Sequence, residues 1–508
     1  MAVADNAESL LQRPSDNAFP ILDRVPSSYN PLSTFILPKG EDRHYTQQFA
    51  DMYFARLARV KPAVEQIAEE AWEGFEIAGE TARRVDRVLD VRQGELCWVV
   101  GTVYMEMPLK PNILDDLSKE VYTRYTTKLK SLDIRTPDRE KYTSPGGKDE
   151  TMLEDESGRL RLTGQHLQSQ MLVTGCIIAA MGTENADGAF EVIDTRIADL
   201  PRQPERWERD DEALAIAGKA VKKQRPESGK VAIISGLEIS GDTADNLYLD
   251  LLTEYLLGEV SSSPGTSDAA QISRLVIAGN SLAHASPIPT RDELATRKGG
   301  KKYGYDASTY NPTPTEHLDD FLAALLPSIP ITLLPGTSDP ANVALPQQPL
   351  HHALFPHSRE YANRPTEEEA SPSWFDSVTN PWEGDVDGWR FLGTGGQPID
   401  DVYKYVAGED RLDMMEHLLR WRCNAPTAPD TLWCYPFQMQ DPLLIKDCPH
   451  VYFVGNQPRF ETRVIDGPAG QLVRIIAVPK FRETGVLVLV DAETLGVECV
   501  QFGTFDRG

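Results

Sequence analysis

The residues best arranged for chemistry are six in a row, Gly241-Asp242-Thr243-Ala244-Asp245-Asn246. Two carboxylates three positions apart, followed by an amide, suit two-metal hydrolysis, in which cations about 3.5–4 Å apart share a bridging carboxylate and activate a water. Such ligands belong at the end of a buried strand. This run instead follows the bend at Leu237–Ser240 and leads into the helical pattern LYLDLLTEYLLGEV. Asp242 or Asp245 therefore reads as a helix N-cap or a first-turn acid rather than as a metal ligand. His351 and His352 adjoin in PQQPLHHALFPHS, where prolines and apolar residues suggest a packed loop and no carboxylate accompanies them. Gly393-Thr394-Gly395-Gly396 lacks the lysine of a phosphate-cradling loop and reads as a tight strand-to-helix turn. No G-x-S-x-G elbow is present for a serine hydrolase. The six cysteines, Cys97, Cys176, Cys423, Cys434, Cys448 and Cys499, form no C-x-x-C pair. They indicate neither a zinc ribbon nor a disulfide framework, and read as reduced, packed thiols.

A second set of candidates sits where apolar runs end in small-residue turns. VAII is followed by Ser235-Gly236-Leu237, and LVIA by Gly279-Asn280 with Ala283 beyond. ITLLP precedes Gly336-Thr337-Ser338-Asp339 along the chain, with the turn starting at Gly336, and VYFV precedes Gly455-Asn456-Gln457-Pro458. This layout resembles that of the calcineurin-like phosphoesterases, whose ligands come as D-x-H, G-D-x-x-D, G-N-H-D or G-N-H-E, a lone His, then G-H-x-H. The glycines stay because they shape the turns. The ligands do not: Ser235, Leu237, Asn280, Ala283, Thr337, Ser338, Asn456 and Pro458 fill the vestigial positions, and Asp339 alone keeps a carboxylate. One carboxylate cannot hold a dinuclear site. The expectation is no catalytic residue, no metal and no cofactor.

The elements that would position these turns fall into two groups. A chain of 508 residues exceeds one hydrophobic core. Residues 1–44, rich in Pro, Ser and Asn, read as an extended arm. Phe49, Met52, Tyr53, Leu57 and Val60 recur at helical spacing, with Pro62 predicting a break or a new first turn. From Glu95 the pattern turns to short strands, with a bulge or bend at Gly101 and a hairpin loop at GTENADG. Residues 45–200 thus predict a helix plus an OB-type β-barrel. Residues 201–508 begin with a polar linker and continue with buried strands between helices, then a β-rich end. They predict an α/β sandwich, calcineurin-like with a degenerate active site. SSSPGTSDAA and RDELATRKGGKKYG read as mobile loops.

Composition narrows the function. The chain is 41% hydrophobic and 25% charged, ordinary for a globular protein, but its formal net charge is -26. Tight DNA binding rests on Lys and Arg displacing counterions, so unaided DNA binding is not expected. The basic cluster Arg297, Lys298, Lys301 and Lys302 reads as a solvated loop rather than a DNA contact or import signal, and Lys222–Arg225 is a weak import candidate. No apolar run reaches the length of a membrane span, and the N-terminus lacks signal-peptide features, which predicts an intracellular protein.

Several longer stretches resemble one family, the B-subunits of eukaryotic replicative DNA polymerases, and within it the small subunits of DNA polymerase delta. The most specific is PITLLPGTSDPANVALPQQPLHHALFP. VTNPWEGDVDGWRFLGTGGQPIDDVYKY, CPHVYFVGNQPRFETRVIDGP and LVTGCIIAAMGTENADGAFEVIDTRIADLP are similar to further family segments, and the likeness covers about residues 45–508. The resemblance implies an OB domain followed by an inactive phosphodiesterase domain. It implies a nuclear accessory scaffold for DNA replication and repair, not itself an enzyme. Its implied partners are the C-terminal cysteine-rich module of the polymerase delta catalytic subunit and the elongated third subunit, with DNA reached only indirectly. It also opens a second assembly, the translesion polymerase zeta. Two rival readings remain. One is an active metallophosphoesterase or nuclease using Asp242, Asp245 and Asp339 with a histidine. The other is a single-stranded DNA binder, which needs aromatics interleaved with basic residues on the barrel; Trp98 and Tyr104 are there, without clear basic interleaving.

Overall fold

The computed structural model describes residues 22–40, 43–45, 49–77, 79–111, 140–144, 146–208, 229–240, 246–259, 268–283, 312–362, 374–438 and 440–503. Asp242, Asp245, Lys222–Arg225 and the Arg297–Lys302 cluster lie outside the described residues, as do most of the two glycine- and serine-bearing loops.

The described part of the arm is extended but fastened. It contributes a short strand, β1 (Tyr29–Pro31), and buries Val25, Tyr29, Phe35 and Leu37. Arg24 caps a helix end by donating from Nη2 to the Leu256 carbonyl at 2.7 Å. The ring of Tyr29 lies 3.8 Å from the buried Arg274 guanidinium, and its hydroxyl donates to Asp376 at 2.5 Å.

Helix α1 (Phe49–Trp72) buries Met52, Arg56, Leu57, Val60, Val64, Ala68 and Trp72 as one stripe at helical spacing. It runs straight through Pro62, contrary to the break that the sequence predicts. Proline removes one hydrogen bond to the carbonyl four residues earlier, at a cost of about 3 kcal/mol. Residue 58 is exposed, so water can satisfy that carbonyl, and the buried stripe outweighs the loss.

The stripe covers a barrel made of β2 (Leu96–Glu106), β3 (Glu150–Glu154), β4 (Arg159–Thr163), β5 (Ile177–Glu184) and β6 (Ala189–Ile197). Pairing runs β2-β3-β4-β6-β5 and closes β5 back onto β2, with β4 and β6 parallel and the other four pairs antiparallel. This is the expected OB-type barrel. Closure requires β2 to change partners at Thr102, which pairs with β5 on one side and β3 on the other. The neighbouring Gly101 permits the close approach: a Cβ there would lie 2.7 Å from the Leu153 side chain and 2.8 Å from the Glu154 carbonyl. No register shift accompanies the change of partner, so the strand carries no bulge at Gly101. The predicted hairpin forms, with the Asn185 side chain accepting from the amides of Asp187 and Ala189 at 3.0 Å.

The remainder alternates strands and helices before a β-rich end. In order come β7 (Lys230–Ile234), α2 (Asn246–Leu257), β8 (Ile272–Ala278), α3 (Thr313–Leu325), β9 (Ile331–Leu334) and β10 (Phe375–Ser377). Then follow β11 (Trp382–Val386), β12 (Trp389–Thr394), α4 (Gln397–Tyr405), α5 (Arg411–Arg420), β13 (Val451–Gln457), β14 (Glu461–Asp466), β15 (Leu472–Pro479), β16 (Val486–Asp491) and β17 (Val497–Gln501). They build two mixed six-stranded sheets, β10-β9-β8-β7-β16-β17 and β1-β11-β12-β13-β15-β14. Val231, Ile233 and Val276 from one sheet meet Phe391, Phe453 and Ile476 from the other. Helices α2 and α3 pack on the outer face of the first sheet through Leu252, Leu256, Leu318 and Leu322. Helices α4 and α5 pack on the outer face of the second through Ile399, Val402, Leu418 and Leu419. The result is four layers, helix, sheet, sheet, helix.

The barrel and the second sheet share one apolar core. Val99, Leu153 and Phe190 from the barrel belong to the same cluster as Leu418, Tyr435 and Val454. A buried ion pair locks the joint: Arg56 on α1 holds Asp441 at 2.6 Å and donates to the Ala428 carbonyl at 2.5 Å. Both side chains are almost wholly out of water, at 1% and 2% exposure. Asp441→Ala is therefore expected to lower the unfolding free energy by about 3–5 kcal/mol, because it strands a buried guanidinium. Chemical denaturation measures this, and a loss below about 1 kcal/mol would show that the charge reaches water.

Candidate functional site

The four turns singled out in the sequence do come together, at one end of the sandwich. Ser235 is fully buried, donates to the Pro479 carbonyl at 3.0 Å, and accepts from the Asn456 amide at 2.9 Å. Asn456, held at φ +58°, donates from Nδ2 to the Gly395 carbonyl at 2.8 Å. Asn280, at φ +54°, accepts from the Ser338 amide at 3.2 Å through its side chain. Asparagine is among the few residues that tolerate this left-handed backbone. Gly279 suits its place because its φ is +82° and a Cβ there would crowd the Cα atoms of both Gly336 and Gly395 at 3.1 Å.

The remaining positions disperse. Leu237 is buried in the core beside α2, Ala283 donates its amide to the Ile239 carbonyl at 3.1 Å, and Thr337 and Pro458 are exposed. Asp339 is 1% exposed, and both its oxygens are taken by the chain's own backbone. Oδ1 accepts from Leu282 N at 2.9 Å and Oδ2 from Gly336 N at 2.7 Å. Burial pushes its carboxyl up to about 6, against the opposing pull of these amides. Among the described residues, no three His, Cys, Asp or Glu side chains gather closely enough to hold a metal ion.

An amide triangle, not singled out in the sequence, ties the turns together. Asn380 donates to Gln347 at 2.8 Å and to Gln397 at 3.0 Å, while Gln397 donates to Gln347 at 2.9 Å. Asn380 also accepts from Gly395 N at 2.9 Å, and Gln347 donates to the Gly336 carbonyl at 3.1 Å. Two of the three are fully buried or nearly so, Asn380 at 0% and Gln347 at 2%. The available signal was polar amides inside proline-rich apolar stretches, in LPQQPL, TNPW and GGQPI.

Two readings of single residues need correction. His351 and His352 are exposed, not packed: the Nδ1 of His351 accepts from Ala353 N at 3.1 Å, starting a short 3-10 turn, and His352 meets Phe375 edge-on. On the barrel, Trp98 is buried under α1, but Tyr104 does have basic neighbours. Lys110 lies 4.4 Å and Arg159 4.7 Å from its ring centre. Each cation is already paired, Lys110 with Asp430 at 2.7 Å and Arg159 with Glu154, which leaves little charge for a phosphate. The Gly393–Gly396 run is the expected strand-to-helix turn, with Gly396 at φ +110° ahead of α4.

Comparison with known proteins now bears on the whole chain. Residues 48–195 match the model of the DNA polymerase delta subunit OB-fold domain, and residues 231–462 that of the DNA polymerase alpha/epsilon B-subunits. The DNA polymerase delta small subunit of Arabidopsis thaliana is 38% identical over 95% of this chain and 97% of its own length. That of Saccharomyces cerevisiae is 35% identical over 90% of each chain. The chain belongs to the DNA polymerase delta small-subunit family. The DNA polymerase delta subunit 2 of Drosophila melanogaster, 31% identical over 94% of this chain and 98% of its own, agrees. Membership makes the protein an accessory subunit of DNA polymerase delta, at work in DNA replication, with an OB-fold domain toward its N-terminus.

The buried Asp339 gives a signed expectation for this polymerase subunit. A carboxyl raised on folding lends stability that is full below the unfolded value near 4 and lost as pH rises through about 6. Asp339→Asn removes that dependence. The stability difference should move in the variant's favour by about 2–3 kcal/mol between about pH 4 and pH 7. Denaturation series at several pH values measure it, and a constant difference would reject the assignment.

Proposed function

We propose that the small subunit is a non-catalytic scaffold, built from an arm (residues 1–44), a helix plus OB domain (45–200) and a calcineurin-like phosphodiesterase domain (201–508) that has lost its site. The observation that carries this is chemical. Where a two-metal hydrolase needs carboxylates and imidazoles, the converging turns offer Ser235, Asn280, Ser338 and Asn456, and the one carboxylate, Asp339, is spent on backbone amides. Neutral amides and hydroxyls neither neutralise two cations nor lower the pKa of a bound water. Leu237, Ala283, Thr337 and Pro458 complete the vestigial set.

A scaffold acts through its surfaces. In this reading one surface holds the cysteine-rich C-terminal module of the polymerase delta catalytic subunit and another the elongated third subunit, in the nucleus, with DNA met only through the assembly. Service in polymerase zeta is part of the same proposal. The -26 charge suits a protein that docks proteins rather than phosphate backbones.

Two measurements check the reading. Elemental analysis of the purified chain should find no stoichiometric divalent metal, and a phosphodiester substrate should stay intact. Two metals per chain with turnover would overturn it. Coexpression with the metallated cysteine-rich module should give one peak on size exclusion at moderate salt. Separate elution of a properly metallated module would defeat the scaffold role.

A further inference from the structure

Among the described residues, three cationic side chains gather in one place. A cavity of about 310 Å³ between α1 and the chain following α5 is lined by Arg59, Arg422 and Lys446. Arg59 and Lys446 are exposed, and neither makes an ion pair or hydrogen bond among the described residues. Arg422 is half-buried and hydrogen-bonded to carbonyls, Nε to Asp199 at 2.7 Å, and Nη2 to Ala198 at 2.9 Å and Leu200 at 3.3 Å, with the Asp199 carboxylate, itself bonded to Arg420, near enough to offset part of its charge. Its Nη1, with two N–H groups, has no partner among the described residues. The one carboxylate in the lining, Asp441, is already held by the buried Arg56.

The cavity shares Gln440, Leu444, Ile445 and Lys446 with a neighbouring groove of about 770 Å³. Phe35 and Phe437 help to line that groove. So does Asn424, which is 1% exposed and whose Oδ1 has no hydrogen-bond partner. An unpaired buried acceptor is costly, and an incoming N–H removes that cost.

We propose that the cavity receives a side-chain carboxylate of an acidic polypeptide segment, whose adjoining backbone and apolar residues lie in the groove. Charge complementarity selects the anion. The free planar fork of Arg59 suits a carboxylate, Arg422 Nη1 adds a further donor, and the segment's backbone supplies the N–H that Asn424 lacks. The shape selects a side chain over a nucleic acid. The cations sit in one small cavity, whereas a phosphate backbone needs them along a track. The chain's negative field is screened beyond about 8–10 Å at ordinary salt, so a short acidic segment can reach the site. The cavity joins the helix beside the barrel to a loop beside the sandwich, so its ligand touches both. This inference goes beyond the reading of the strand-end turns and does not depend on it.

The test uses the full chain and a labelled short peptide of alternating Glu and Leu, followed by fluorescence anisotropy. Arg59→Gln combined with Lys446→Gln should weaken binding roughly tenfold. Both side chains are exposed and unpaired, and the melting temperature of the double variant should confirm an intact fold. Lys148→Gln combined with Arg92→Gln, an equal loss of charge elsewhere on the surface, should leave binding unchanged. A short oligothymidylate should not displace the peptide. No binding by the unmodified chain, equal weakening in both double variants, or displacement by the oligonucleotide would each overturn the proposal.

Discussion

Polar atoms that meet out of water must find partners within the chain, and that constraint governs the end of this sandwich. Turns from β7, β8, β9, β12 and β13 converge there, each bringing amides and carbonyls that no sheet ladder pairs. Asn280, Gln347, Asn380, Gln397 and Asn456 answer much of the demand because a carboxamide can donate and accept without carrying charge, while Ser281 Oγ, Ser338 Oγ, Asn456 Oδ1 and Gln457 Oε1 stay without a partner among the described residues. A charged ligand set would need counter-ions to remain buried. Asp339 is the exception, and its raised carboxyl records how little water reaches it.

The same constraint explains the arm. Arg274 and Asp376 lie within the first sheet, where isolated charges would be expensive. Tyr29 lies against one and bonds the other, and Thr332 accepts from Arg274 at 2.9 Å. The arm thus completes a polar cluster that the sheets leave open. Its fixed course from Val25 across β11 to Leu37 follows from that need together with the apolar residues it buries.

Much of this was legible from sequence, for reasons that differ by element. The barrel and the buried strands announced themselves by alternation, by continuous apolar runs and by Asn-Asp-Gly at the hairpin. The turns were readable because glycine marks close approach, as at Gly279 and Gly101. Pro62 misled because a local rule met a stronger tertiary stripe. The exposure of His351 and His352 was missed because apolar neighbours do not fix which way a loop faces. The amide triangle left only polar amides in proline-rich stretches as a signal, and the Arg59, Arg422 and Lys446 cavity left none. Their members are separated by long stretches of chain, and only folding sets them side by side.

The Arg56–Asp441 pair spans 385 residues. On a ribosome adding about 5–20 residues per second, the helix that carries Arg56 waits roughly 20–80 s before its counter-ion exists. The barrel must meanwhile keep an unfinished apolar flank and an unpaired guanidinium from other chains. The joint between barrel and sandwich therefore stays open for most of synthesis and can close only once the segment around Asp441 has emerged.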